Sequence, residues 1–138
     1  MIKNLQTVGV TITNLLTNSG SKWKSEIILF KTLKVIQKKS SKNVVDILKL
    51  AVINSSPYFQ IKKIRRKKKN SIEFPFLLQS KTRIVCGIKY IVSKSKHKKF
   101  HIELLESSDQ LGLSVASKKL IHKESFIKKK VANYRWFF

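Results

Sequence analysis

The chain has 138 residues, 42% of them hydrophobic, and carries 30 Lys+Arg against 7 Asp+Glu for a formal net charge of +23. That length suits one ordinary domain able to bury its own core, and the apolar fraction excludes wholesale disorder. The charge cannot be neutralised internally, so it calls for a polyanionic partner, nucleic acid first and an anionic membrane surface second.

The first element is a short amphipathic piece around Ile12, Leu15 and Leu16, ended by a turn at Asn18-Ser19-Gly20. Ser25 and Glu26 then read as the opening of a helix, a polar cap followed by an acid in the first turn. Leu29, Leu33 and Ile36 recur on one face of it. A loop at 38–42 leads to a second helix over 43–54, apolar at Val44, Ile47, Leu48, Ala51 and Val52. Ser55-Ser56-Pro57 stops that helix, since the residue before proline avoids the helical region.

Residues 58–78 read as a protruding two-stranded ribbon. Two apolar, aromatic-rich arms flank Ile61-Lys62-Lys63-Ile64-Arg65-Arg66-Lys67-Lys68-Lys69, seven cations in nine residues. Pro75 confines the second arm to an edge strand. A helix follows over 79–96 with an apolar stripe at Ile84, Ile88, Ile91 and Val92. Residues 100–107 form another short helix, and Gly112 marks a break. The last helix spans 117–131, with Leu120, Ile121 and Ile127 expected inward. The fold class is therefore mainly α: a bundle of about five to six helices with one projecting ribbon, as a single domain over 1–138.

The ribbon is the candidate binding surface. Its Lys and Arg would neutralise phosphates and release counterions, a term that does not depend on sequence. Tyr58, Phe59, Phe74 and Phe76 could stack on bases, with about half of them expected to pack the ribbon onto the body instead. The closing aromatic run Tyr134-Arg135-Trp136-Phe137-Phe138 either folds back or docks on a partner.

Other chemistry finds little support. His97, His101, His122 and Cys86 give no ligand pair at zinc spacing, so no metal is expected. The acids are scattered; Glu103 and Glu106 share a helix face and read as solvated. The four glycines are isolated, so there is no phosphate-cradling loop, and nothing pairs a nucleophile with a base. No catalytic residue, enzyme activity or cofactor is expected. The lone Cys86 excludes an internal disulfide, and no apolar run approaches the roughly 18 residues of a membrane span.

Several short stretches resemble the bacterial-type small ribosomal subunit protein seven family. Ala132-Asn133-Tyr134-Arg135-Trp136 is similar to that family's terminal Ala-His-Tyr-Arg-Trp, with Asn in place of His. Counting back without a gap, His122, Val115, Gly112 and Glu103 meet their counterparts. Asn54-Ser55-Ser56-Pro57 resembles the family's Asn-Val-Arg-Pro, and Pro75, Arg83 and Ile91-Val92 match in and after the ribbon. Gly20-Ser21-Lys22 and Ser25-Glu26-Ile27-Ile28 resemble its Gly-Lys-Lys and Ala-Glu-x-Ile elements. The resemblance runs over 12–136. The departures are a largely absent basic N-terminal arm, about half a dozen fewer residues near Lys99-Phe100, and lysines at 67–69 where the family keeps a glycine pair. Those lysines argue against a tight glycine turn and for phosphate contact.

The resemblance implies a structural, non-catalytic protein that binds the 3′ major (head) domain of small-subunit rRNA and nucleates head assembly. It implies neighbours among head and platform proteins, and a ribbon and tail near exit-site tRNA and the mRNA exit path. Carried over, the rRNA contacts are Lys62, Lys63, Arg65, Arg66, Lys67, Lys68 and Lys69 of the ribbon, Lys22 and Lys24 of the first basic loop, and Arg83 and Lys89 of the following helix. Tyr134, Arg135 and Trp136 are the tail contact. Only four of the 30 cations are arginine, a skew that an AT-rich organelle genome writes, and residues 1–20 make a poor transit peptide. An organelle-encoded copy is expected, mitochondrial (matrix) before plastid. The alternative is a free basic nucleic-acid-binding or architectural protein, since a basic ribbon with a proline arm also suits the minor groove.

Overall fold

A computed structural model describes residues 5–17, 19–66, 69–95 and 99–132, with side chains described over 8–17, 19–63, 71–95 and 99–130. Among these residues lie six helices of nine residues or more, one four-residue helical turn and one antiparallel ribbon. In chain order they are α1 (Leu5–Leu16), α2 (Lys22–Lys39), α3 (Val44–Ser55), β1 (Phe59–Arg66), β2 (Lys69–Leu77), α4 (Ser80–Ser95), α5 (Phe100–Ser108), α6 (Leu113–Ile127) and α7 (Lys129–Ala132). This is the expected helical bundle with one ribbon.

The core follows the predicted stripes. Ile12 of α1, Leu29 and Ile36 of α2, Ile47, Ala51 and Val52 of α3, Ile88 and Ile91 of α4, and Leu104 of α5 form one cluster. Leu33, Ile84 and Val92 pack partly buried against it. Each fully buried Ile or Leu contributes about 1.5–3 kcal/mol. Asn43 caps α3 by accepting from the Val45 N–H at 3.2 Å, which satisfies an orphan donor of the first turn. Gly87 lets α4 lie directly on the end of α3. A Cβ there would sit 3.0 Å from both Cα and N of Ser56.

Three expectations need correction. First, α2 begins at Lys22, so Ser25 is not its cap. Ser19 and Gly20 are both left-handed (φ 54° and 76°), and this sharp turn delivers the chain into the helix at once. Ser25 is buried in the first turn, donates to the Lys22 carbonyl at 2.7 Å and meets the Thr17 hydroxyl at 3.2 Å. It ties α1 to α2.

Second, Glu103 is not solvated but wholly buried. Its Oε1 accepts from the Ser114 N–H at 2.8 Å and from the Ser107 hydroxyl at 3.3 Å. It supplies from another helix the acceptor and negative charge that the N-terminus of α6 lacks locally. Gly112 is there because of this contact, since a Cβ would stand 2.5 Å from Ser107 Oγ and 2.9 Å from Glu103 Oε1.

Third, α6 starts four residues before the expected position, and of the three residues expected inward Ile121 is half-buried while the other two point out. Ser114, Val115 and Ser125 are buried, whereas Leu120 and Ile127 are 61% and 69% exposed. The Glu103 bond and a buried hydroxyl chain, Ser55 to Ser114 at 3.0 Å and Ser114 to Ser107 at 2.7 Å, fix the small polar face inward. Hydrogen bonding at the helix start overrides the apolar pattern.

Candidate nucleic-acid interface

The ribbon pairs Phe59 with Leu77, Gln60 with Phe76, Ile61 with Pro75, Lys62 with Phe74, Lys63 with Glu73 and Ile64 with Ile72. The register is irregular between Ile64 and Arg66, and the outermost pair is Arg66 with Lys69. Side-chain alternation puts Lys62 and Lys63 on opposite faces, so cations flank both sides. Lys62 Nζ stands 4.1 Å from the centre of the Phe76 ring, a cation–π contact that holds the ammonium at the surface. Of the four arm aromatics, Phe74 is buried, while Tyr58 and Phe59 remain exposed.

Glu73 fastens the ribbon to the body. It accepts from Lys63 across the strands at 2.7 Å and from Lys128 at the C-terminal end of α6. Hydrogen bonds from Lys128 and then Lys63 pull its carboxyl down to about 2. The same hydrogen bond and charge raise Lys63. One predicted phosphate ligand, Lys63, is thus partly neutralised by its cross-strand partner.

A second cluster forms where the ribbon meets the body. Tyr58 lies just before β1. The Arg83 guanidinium, in the first turn of α4, sits 3.8 Å from the Tyr58 ring centre, and Lys118 Nζ of α6 lies 5.8 Å from it. One turn on from Lys118, His122 Nε2 accepts from the Tyr58 N–H at 3.0 Å. The His122 ring also meets Tyr58 and Phe59 at 5.9 Å. Burial, then Lys118 and Arg83, push the His122 imidazole below its ordinary value. Burial is likewise the main cause of the lowered Lys118 ammonium, with Arg83 adding to it. Lys118 donates to the Asn54 carbonyl at 2.9 Å. The Asn54 amide in turn donates at 3.0 Å to the carbonyls of Ser107 and Ser108. Asn54 therefore joins α3, α5 and α6 beneath the cluster.

The remaining predicted residues are spread over the surface. Lys22 and Lys24 lie in the first turn of α2 and are outward; Lys22 makes an exposed 3.7 Å pair with Glu26. Lys89 is exposed on α4. Arg65, Arg66 and Lys69 lie on the strands, with their side chains outside the described set. Lys67, Lys68, Tyr134, Arg135 and Trp136 lie outside the described residues altogether. Among the described residues, the structure brings Arg83 against Tyr58 and Lys62 against Phe76, and leaves Lys22, Lys24 and Lys89 apart from them. Sequence reading missed Lys118 and gave His122 no role, although their i, i+4 spacing was a usable signal. Among the described residues no group of three His, Cys, Asp or Glu gathers to hold a metal, and no helix is long and apolar enough to cross a membrane.

The family model described as "Ribosomal protein S7p/S5e" matches residues 3–129. The chain is 27% identical over 132 residues to "Small ribosomal subunit protein uS7" of Heliobacterium modesticaldum, covering 91% of this chain and 84% of that protein. It is 25% identical over 130 residues to the protein of the same name from Baumannia cicadellinicola, covering 89% and 83%. The Oceanobacillus iheyensis protein of that name gives 24% with the same coverage.

Proposed function

From the premise that the chain belongs to the ribosomal protein S7p/S5e family, we propose that it is a structural component of the small ribosomal subunit and binds the 3′ major domain of small-subunit rRNA. The 138 residues act as one rRNA-binding domain, without catalytic activity of their own. The observation that carries this reading is the cationic ribbon, clamped to a helical body by Glu73 and Lys128 so that it projects in a fixed direction. A fixed ribbon base lowers the entropy lost when the ribbon meets phosphates, and Lys62, Arg65, Arg66, Lys67, Lys68 and Lys69 are its proposed contacts. Lys22, Lys24, Arg83 and Lys89 extend the contact over the body, and Lys63 shares its charge between Glu73 and RNA. Tyr134, Arg135 and Trp136 reach a neighbouring head or platform component. The ribbon and tail lie near exit-site tRNA and the mRNA exit path. The lysine skew favours an organellar copy, mitochondrial before plastid.

Binding of the recombinant chain to a transcript of the 3′ major domain tests this, against duplex DNA of equal length as competitor. Saturable binding with one protected junction is expected. Equal affinity for the DNA would overturn it in favour of a free architectural protein. With ~6 phosphate contacts, affinity falls on the order of a thousandfold between low and moderate salt. The organellar assignment is tested separately, by looking for the chain stoichiometric with other small-subunit proteins in purified mitochondrial ribosomes.

A further inference from the structure

We propose that Arg83, Lys118 and His122, gathered around Tyr58 at the root of the ribbon, form a seat for one backbone phosphate of RNA. The seat rests on the rRNA-binding reading above and adds to it a defined site outside the ribbon tip. Three elements converge there: the start of β1, the first turn of α4, and two consecutive turns of α6. Both Arg83 and Lys118 are partly buried, yet among the described residues neither pairs with a carboxylate. Two half-desolvated cations beside one ring repel each other; burial first, and then this repulsion, lowers Lys118 and His122. An anion between them would reverse the sign of the interaction.

The donors match a phosphate. Arg83 Nε is buried with no acceptor, so the guanidinium is held on Tyr58 by stacking rather than by a hydrogen-bonded partner. Its terminal N–H groups retain the planar fork suited to phosphate oxygens. Lys118 spends one of its three donors on the Asn54 carbonyl, which fixes the ammonium and leaves two. His122 accepts the Tyr58 N–H through Nε2, so its neutral ring carries the proton on Nδ1 as a further donor. Tyr58, 48% exposed, offers an aromatic edge beside the same spot for an adjoining base.

The test uses the full chain and the 3′ major domain transcript across a salt series. Arg83→Gln and Lys118→Gln should each weaken binding roughly five- to tenfold and lower the slope of log affinity against log salt by about 0.7–0.9. The double variant should lose clearly less than the product of the two single losses, because both cations serve one phosphate. Lys118→Arg should restore the slope, which separates lost charge from a lost Asn54 contact. Inorganic phosphate should also shift the His122 ring signals of the free chain saturably in an NMR titration. Unchanged slopes in both single variants, or losses that multiply independently, overturn the seat while the rRNA reading stands. If the wild-type chain does not prefer the transcript, that reading fails first. The phosphate titration then decides the seat alone: saturable shifts support it and their absence overturns it.

Discussion

Removing the Glu103 carboxylate should unseat α6, the helix that carries Lys118 and His122. In Glu103→Ala the buried Ser114 N–H loses its acceptor, at a cost of about 1–3 kcal/mol. Loss of a negative charge at the start of α6 adds about 0.5–2 kcal/mol, since the four leading N–H groups of a helix carry partial positive charge. The vacated space costs about 1 kcal/mol more. Oε2 is buried without a hydrogen-bond partner, so deleting it returns about 1 kcal/mol. The net loss is about 3 kcal/mol, a large part of the roughly 7–20 kcal/mol typical of this chain length. Glu103→Gln keeps an oxygen facing Ser114 and forfeits mainly the charge, so it should lose about 1 kcal/mol. Urea denaturation followed by far-ultraviolet circular dichroism reads this as midpoint shifts of about 1.5 M and 0.5 M. An Ala variant within about 0.5 kcal/mol of wild type, or equal losses in Ala and Gln, would refute the role of the carboxylate as a remote cap.

Other outcomes follow from the same geometry. Gln110 closes α5 in a left-handed conformation (φ 65°), with Leu111 N–H donating to the Glu106 carbonyl at 2.8 Å and Gln110 N–H to that of Ser107 at 3.3 Å. Gln110→Gly should therefore stabilise by about 0.5–1 kcal/mol in a thermal melt, as glycine adopts this conformation without strain. Glu73, held at about 2, contributes stability that is fully present above its ordinary 4.5 and lost as pH falls through about 2. A carboxyl titration by NMR should show it ionised at pH 3.5, and a midpoint near 4.5 would remove the clamp. His122 is depressed, so its contribution is present above its ordinary 6.5 and lost as pH falls below that through the lower folded value. Protonation turns Nε2 from acceptor to donor and breaks the Tyr58 contact, so His122→Gln should flatten the loss of stability on acidification from pH 7. Leu120→Ser and Ile127→Ser should stay within about 0.5 kcal/mol of wild type, whereas Ile88→Ala should lose about 2–5 kcal/mol.

The elements that sequence reading located well are those whose burial is apolar and local. α3 carries Ile47, Leu48, Ala51 and Val52 at helical spacing between a capping Asn43 and Pro57, and all its signals agree. The ribbon was legible for a similar reason, because proline, alternating aromatics and a cation run exclude a core helix there. The apolar pattern misplaces α6 because its inward face is mostly polar, Ser114, Lys118, His122 and Ser125, with Val115 as its one buried apolar side chain. Its apolar residues Leu113, Leu120 and Ile127 recur every seven positions and imitate a buried stripe. What decides its orientation is Glu103, one helix earlier, and a periodicity argument confined to one segment cannot register that.

The interface divides along the same line. Net charge and the run at 61–69 announce a polyanionic partner because electrostatic attraction to RNA needs only many cations on one chain. A seat for an individual phosphate needs a few donors at fixed separations. Here they come from Arg83, Lys118 and His122, drawn from α4 and α6 and gathered around Tyr58 by packing against the ribbon root. Among the described cations at the ribbon and its root, Lys118 is set apart by a hydrogen bond to a backbone carbonyl. Asn54 holds it by the carbonyl, while the Asn54 amide ties the same point to the end of α5. Fixing a lysine in this way removes rotamer freedom before RNA arrives, so the ordering cost falls on folding rather than on binding. Lys62, exposed and held only by its cation–π contact with Phe76, pays more of that cost at contact. Charge for charge, Lys118 should therefore contribute more to affinity than Lys62, even though the sequence makes the ribbon far more conspicuous.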